Sequence, residues 1–324
     1  MQGISALPMT TPPIAEILFH SASDDGSMLA AFREALPEHR LITDPHKAKP
    51  QAVEHAIVWQ PPADFFDGFD RLRYVHALAA GVDQLMTHPG LPPDATVLRL
   101  EDAGMGVLMA EYVLYGVLHA HRGLPALQAA AERREWLHQL GVPAAAAVRV
   151  GILGAGALGT IVAERLAANG YSVCCWSRSE KTLPAPIEHV AGETHLRDFL
   201  NTSDVLVCLL PLTEATRGIL DARLFNALPD GAFVINVARG GHLVEADLLD
   251  AITRDKLAGA LLDVFDEEPL PDDHPFWSEP RILVTPHIAA PSPVPDSVAR
   301  ITANIARIRA GETPIGMVDR SRGY

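Results

Sequence analysis

Cysteine is scarce in this chain: three residues among 324, Cys174, Cys175 and Cys208. None are spaced as C-x-x-C, and two are neighbours in an apolar run. The set encodes neither a disulfide framework nor a thiolate metal site, and no metal is expected. A reducing compartment, the cytoplasm, is the natural setting. Long hydrophobic runs are missing too. Nothing approaches the roughly 18 apolar residues that cross a bilayer, and residues 1–13 lack a basic segment followed by an apolar core, so they read as a loose extension. Aromatic residues are few, at 6%, and positive charge is in deficit: 26 Lys and Arg against 40 Asp and Glu give a formal charge of −14. An acidic surface repels phosphate backbones, which disfavours nucleic acid and anionic membrane as partners. A local basic pocket for one small anion remains compatible with it.

What is present is an ordinary globular composition, 48% hydrophobic and 20% charged. At roughly 150 residues per domain the length suits two domains. The first hundred residues alternate short apolar runs with helical spacing: Ile14 to Phe19, Met28 to Leu36, Ala56 to Trp59, Tyr74 to Leu78. This pattern predicts a small α/β unit. Met105 to His121 is a helix apolar all round, hence buried, between domains or subunits. Arg122 to Ala147 reads as polar and then alanine-rich. From Val148 to Ile288 strands and helices alternate regularly, which means βαβ units on a parallel sheet. A last helical stretch covers Ser297 to Arg309.

The sharpest local signal is Gly154-Ala155-Gly156-Ala157-Leu158-Gly159, between a strand ending at Leu153 and a helix stopped by Gly170. Gly154 suits the tight turn, Gly156 the close approach of a pyrophosphate, and Gly159 helix-to-strand packing. The helix start then offers free N–H groups to phosphates. The alternative is a glycine-rich turn with no ligand. The next strand ends in Cys175-Trp176-Ser177-Arg178-Ser179. An NAD-specific site would carry Asp or Glu near Ser177 to grip the ribose 2′-hydroxyl. Arg178, with the hydroxyls of Ser177 and Ser179, suits a 2′-phosphate instead, with Lys181 as a second cation. One charge-assisted bond of about 1.5–3 kcal/mol corresponds to a roughly tenfold to hundredfold preference for NADPH, with NADH weaker. The alternative for Arg178 is a solvated surface charge.

Three later strands end in residues with chemistry to offer: Arg239-Gly240 after Ala232 to Ala238, the run Asp263 to Pro269 after Leu257 to Leu262, and Pro286-His287 after Ile282 to Thr285. Carboxyl ends of a doubly wound sheet face one crevice, so Arg239, Glu268 and His287 can converge there. The set suits hydride exchange at a 2-keto acid. Arg239 is a planar, permanently charged fork for a carboxylate. His287 is the proton donor for the developing alkoxide. Glu268 beside it would stabilise the imidazolium.

At this point the chain resembles the D-2-hydroxyacid dehydrogenase family. The likeness rests on Leu78-Ala79-Ala80-Gly81-Val82-Asp83, the glycine loop, Leu210-Pro211-Leu212-Thr213 with Thr216, Asn236-Val237-Ala238-Arg239-Gly240, Leu262-Asp263-Val264-Phe265 through Glu268-Pro269-Leu270-Pro271, and Thr285-Pro286-His287. Val58-Trp59-Gln60-Pro61-Pro62, Glu101 to Gly106, Cys175 to Ser179 and the tail Val318 to Tyr324 make it similar to the glyoxylate/hydroxypyruvate reductase A group.

The resemblance implies two doubly wound parallel-sheet α/β domains. A Rossmann-type cofactor domain, residues 102–288, is inserted in a smaller flavodoxin-like substrate domain, residues 1–101 and 289–324. It implies an oxidoreductase that reduces glyoxylate and hydroxypyruvate with NADPH, in the cleft between the domains. Arg239 would bind substrate, Glu268 would pair with the acid, and His287 would be the acid/base. Ala80 and Gly81 would offer N–H groups to the substrate carboxylate. Trp59 would line the pocket, though it reads equally well as a strand-end core residue. Asp263, Val237 and Ala238 would hold the nicotinamide end, and Leu210, Pro211, Leu212 and Thr216 the adenosine side. The helix Met105 to His121 would lie at a homodimer interface, with Trp136 near the partner's site. Two other readings stay open: a bulkier keto acid such as phenylpyruvate, since Pro291, Pro293 and Pro295 stiffen the next loop, and a dinucleotide-sensing protein without catalysis.

Overall fold

The computed structural model describes residues 15–138 and 141–324. The segment read above as an extension lies outside the described residues. In chain order the elements are β1 (Ala15–Ser21), α1 (Ser27–Ala35), β2 (His39–Ile42), β3 (Val53–Trp59), β4 (Tyr74–Ala77), α2 (Asp83–Met86), β5 (Thr96–Leu98), α3 (Met105–His121), α4 (Leu124–Glu132) and β6 (Arg149–Leu153). There follow α5 (Ala157–Ala168), β7 (Ser172–Ser177), β8 (Glu188–Ala191), α6 (Leu196–Leu200), β9 (Val205–Cys208), α7 (Ala222–Ala227), β10 (Ala232–Asn236), α8 (Glu245–Thr253), β11 (Leu257–Leu262), β12 (Ile282–Val284) and α9 (Val294–Arg309). The chain divides into two compact units, one running to Glu101 and resuming at Val294–Tyr324, the other Asp102–Pro293.

The first unit holds a five-stranded sheet in the order β2-β1-β3-β4-β5, with every pairing parallel. This is the flavodoxin-like order. Its core gathers Leu18, Ile42, Val53, Val58, Phe65, Phe66 and Val75. The C-terminal segment is fastened here by polar bonds. The Asn304 amide pairs with both backbone groups of Ile315, and the Arg320 guanidinium donates to the Ala95 and Pro92 carbonyls.

The second unit holds a seven-stranded sheet in the order β12-β11-β10-β9-β6-β7-β8, again all parallel. Counted from β6 this is the Rossmann order 3-2-1-4-5-6 with one strand added. A parallel sheet covered on both faces needs strands apolar on both sides, and β9 and β10 are buried at every position. Helices α7 and α8 bury Phe225, Leu248 and Ile252 in one cluster. Helices α3 and α5 bury Val113, Val117, Val162 and Leu166 in another.

Two elements add detail to the expectation. Within this one chain helix α3 leaves Val107, Tyr115 and Leu118 40–48% exposed, a stripe on the face away from the core. Helix α4 lies in the stretch read as polar and then alanine-rich, where no helix was expected. Only Ala130 of it is buried, so no apolar periodicity marked it.

Candidate active site

All the strands of the seven-stranded unit run parallel, so their loops emerge at one carboxyl edge. The strand order reverses between β6 and β9, and the loops that follow these two strands diverge there. Such a switch point is where open α/β sheets bind ligands. The loops abut closely. A Cβ at Gly154, whose φ is +116°, would lie 2.7 Å from the Leu209 carbonyl oxygen. One at Gly159 would lie 2.1 Å from the Gly154 carbonyl oxygen, so the start of α5 sits flush on the turn. Gly156 is the opposite case: nothing lies within 4 Å of where its Cβ would be. The turn needs glycine at 154 and 159 for packing, and leaves open space at 156, ahead of Ala157 and Leu158 in the first turn of a 12-residue helix without a side-chain cap. This fits a dinucleotide pyrophosphate.

At the end of β7 no carboxylate occupies positions 177 to 179. Ser177 is buried, and its hydroxyl donates to the Ser179 carbonyl at 2.8 Å. That proton being committed, the His189 Nε2 at 2.8 Å from the same oxygen is the donor of the pair. The Ser177 hydroxyl is therefore turned into the loop, where it shapes the turn. Arg178 and Ser179 are exposed. The Lys181 ammonium donates to the Ala155 carbonyl at 2.8 Å, which sets a cation against the glycine loop. His189 was invisible in the sequence because it comes from β8, 12 residues on. After β9, Leu210 is buried while Pro211 and Leu212 are half-buried. Thr216 closes this loop, donating to the Pro211 carbonyl at 2.7 Å and accepting from the Thr213 N–H at 2.9 Å.

The other three strand-end loops also come together. After β10, Val237 and Ala238 are buried, and the buried Asn236 side chain spans the turn, donating to the Arg239 carbonyl and accepting from the Ala238 N–H. A Cβ at Gly240 would lie 1.8 Å from the Phe265 carbonyl carbon, so this loop lies directly on the loop after β11. The Glu268 carboxylate accepts from the Phe265 N–H at 3.0 Å, and its other oxygen is 2.8 Å from His287 Nδ1. Burial works against the charge on Glu268. The hydrogen bonds from His287 and Phe265 and the positive charges of His287 and Arg239 outweigh it, and hold the carboxyl below its ordinary range. Arg239, Glu268 and His287 are thus electrostatic neighbours, with His287 and Glu268 each about 40% exposed.

Asp263, at the end of β11, faces inward. It is 1% exposed and accepts from the Thr285 hydroxyl and from the Ile288 and Ala289 N–H groups. In the five-stranded unit, Trp59 ends β3 half-buried, and Ala80 and Gly81 lie half-buried in the bend between β4 and α2.

The chain matches the family model of the D-isomer specific 2-hydroxyacid dehydrogenase NAD binding domain over residues 114–289. It is 42% identical to glyoxylate/hydroxypyruvate reductase A of Salmonella paratyphi B over 313 residues, 95% of this chain and 99% of that one. Among solved structures it superposes on a D-isomer specific 2-hydroxyacid dehydrogenase from Xanthobacter autotrophicus Py2, in complex with NADPH and MES, with a TM-score of 0.91 and 39% identity, covering 96% and 99% of the two chains. The NADPH-dependent glyoxylate/hydroxypyruvate reductase of Sinorhizobium meliloti, in complex with NADP and sulfate, gives 0.90 and 37%, covering 96% and 100%. This protein belongs to the D-isomer specific 2-hydroxyacid dehydrogenase family.

Proposed function

We propose that this protein uses NADPH to reduce glyoxylate and hydroxypyruvate to their 2-hydroxy acids. The observation that carries the reading is the His287–Glu268 pair at 2.8 Å, in the field of Arg239, on the same sheet edge as a glycine loop. The Salmonella and Sinorhizobium relatives carry those two substrates in their names, and the latter is NADPH-dependent.

When NADPH is bound, it supplies the hydride that adds to the keto carbon. Arg239 binds the substrate carboxylate through its guanidinium. Glu268, ionised, accepts from His287 Nδ1. That bond fixes the tautomer and leaves Nε2 as the nitrogen that hands a proton to the developing alkoxide. From the five-stranded unit the same reading takes the Ala80 and Gly81 N–H groups as further carboxylate donors and Trp59 as a pocket wall. Arg178, Ser179 and Lys181 hold the 2′-phosphate, in a loop shaped by Ser177. Gly154, Gly156 and Gly159, with the Ala157 and Leu158 N–H groups, hold the pyrophosphate. Leu210 to Leu212, with Thr216, flank the adenosine side, and Val237 and Ala238 the nicotinamide side, while the inward-facing Asp263 carboxylate holds the turn of His287. The exposed stripe Val107, Tyr115 and Leu118 on α3 suits a second copy of the chain, giving a homodimer. Three buried free thiols suit the cytoplasm.

The test is oxidation of NADPH and NADH with glyoxylate, hydroxypyruvate, pyruvate and phenylpyruvate. Fast turnover of the first two with NADPH is the expected result. Preference for phenylpyruvate would move the substrate, and NADPH binding without turnover of any acid would remove the catalytic reading.

A further inference from the structure

His287 stands in an uncommon backbone conformation. Its φ is 55°, in the left-handed region that a residue with a Cβ seldom occupies. Such a backbone persists only where its surroundings over-determine it. Here the restraint starts at Asp263. The His287 N–H donates to the Asp263 carbonyl at 2.8 Å. The Asp263 side chain then takes the next two N–H groups, Ile288 at 2.9 Å on Oδ1 and Ala289 at 2.8 Å on Oδ2. A third donor, the Thr285 hydroxyl, reaches Oδ1 at 2.6 Å. The turn that presents His287 is thus wrapped around one buried carboxylate.

The order of protons in this cluster is determined. An ionised carboxylate only accepts. Thr285 must spend its single hydroxyl proton on Asp263. The Thr285 oxygen also hydrogen-bonds the Tyr112 hydroxyl. With the threonine proton committed, Tyr112 is the donor there. Burial raises the Tyr112 phenol well above its ordinary pKa, and the nearby Asp263 charge adds to this, while the Thr285 bond opposes it. The phenol therefore keeps its proton and its donor role throughout the pH range in which the protein works. Tyr112 belongs to α3, 173 residues from Thr285 in sequence. Its bond ties the turn after β12 to a helix that forms part of the core of the seven-stranded unit.

We propose that Tyr112 is a positioning residue for His287: it fixes Thr285, Thr285 fixes the Asp263 carboxylate, and that carboxylate fixes the turn from which His287 reaches the substrate. The proposal rests on the reading of His287 as the acid. Nothing in it requires Tyr112 to touch substrate or cofactor.

The experiment compares Tyr112→Phe, Thr285→Val and Thr285→Ser with the parent. Tyr112→Phe and Thr285→Val are each expected to lower kcat roughly tenfold, the weight of one buried hydrogen bond. The Kd for NADPH and the KM should stay within twofold. Thr285→Ser keeps the hydroxyl and should restore most of kcat. The double variant Y112F/T285V should be no slower than its slower parent, because both act on one chain of bonds. A second readout needs neither cofactor nor turnover. Hydrogen exchange at the Ile288 and Ala289 amides of the cofactor-free protein should quicken in Tyr112→Phe and return to the parent rate in Thr285→Ser. Parental kcat and exchange in Tyr112→Phe would overturn the proposal, as would additive losses in the double variant. His287→Ala, run beside them, separates the two claims. If that variant stays active, His287 is not the acid. The exchange rates still decide whether Tyr112 holds the turn.

Discussion

Two loops leave the same carboxyl edge and are built by opposite means. The turn after β6 is shaped by missing side chains: Gly159 lies against the Gly154 carbonyl and Gly154 against that of Leu209. The turn after β12 is shaped by side chains that are present, since Asp263, Thr285 and Tyr112 together hold His287 at a positive φ. The first arrangement leaves room for a ligand's phosphates to approach the backbone. The second fixes one imidazole relative to one carboxylate. Changes in one loop should therefore leave the other's task intact.

The largest test is His287→Ala. It should lower kcat/KM by about 10²–10⁴-fold, the usual worth of a general acid, while NADPH affinity stays at the parent value. A matching loss of NADPH affinity would mean that the two loops are one site energetically. Next come two glycine variants that break the first loop in different ways. Gly159→Ala forces a Cβ to within 2.1 Å of a carbonyl oxygen, and overpacking of this kind costs about 1–3 kcal/mol of stability. Gly156→Ala puts the same methyl into open space, so the thermal midpoint should hold while NADPH affinity falls. Equal stability changes in the two variants, whether losses or none, would mean that the turn does not distinguish the two positions, and the steric account would go. A smaller effect belongs to Arg178→Ala. It should narrow the NADPH-to-NADH ratio of kcat/KM by roughly tenfold to hundredfold. An unchanged ratio would return Arg178 to the solvated surface.

The contrast also explains what could be read from the sequence. The glycine loop lies within six consecutive residues, and its flanks announce a strand and a helix, so turn, helix and ligand class are all legible. The same holds for strands such as β11, whose apolar run matches its observed span. Arg239, Glu268 and His287 could be grouped from the sequence because each follows a strand and all strands of such a sheet end on one side. The Tyr112 bond was not legible. It joins residues 173 apart, and Tyr112 looks like any aromatic on an apolar helix. The inward turn of Ser177 depends on His189 from a neighbouring strand, and no spacing rule links them. Motif matching singles out Asp263 but says nothing of which way its carboxylate faces. That required the positions of three donors from a loop 22 to 26 residues on. Helix α4 was missed because it buries only one residue and so has no periodic stripe.

The last prediction extends the comparison to the other sheet, where a buried polar pair is left incompletely satisfied. His55 on β3 and His76 on β4 lie 3.1 Å apart, Nδ1 to Nε2, with their rings stacked. Tyr74 also stacks on His55, and His76 is 1% exposed with its Nδ1 unpartnered. Burial, assisted by the charge of His39, pushes His55 down to about 4; burial, assisted by His55, pushes His76 down to about 3. Both folded values lie below the unfolded value of about 6.5, so the unfolded chain takes up protons first on acidification. The stability these neutral histidines allow is complete above pH 6.5, and it is lost as the pH falls from there towards 4. Each histidine contributes a slope of up to about 1.4 kcal/mol per pH unit. The measurement is the opening free energy of the β3 and β4 amides by hydrogen exchange at pH 7 and pH 5, in the parent and in His76→Leu. The parent should lose more than the variant by about 1–2 kcal/mol, one histidine's share of that slope. Equal losses would mean that His76 accepts its proton while folded, and an unpartnered buried nitrogen would then be no weaker a fixture than the fully bonded Asp263.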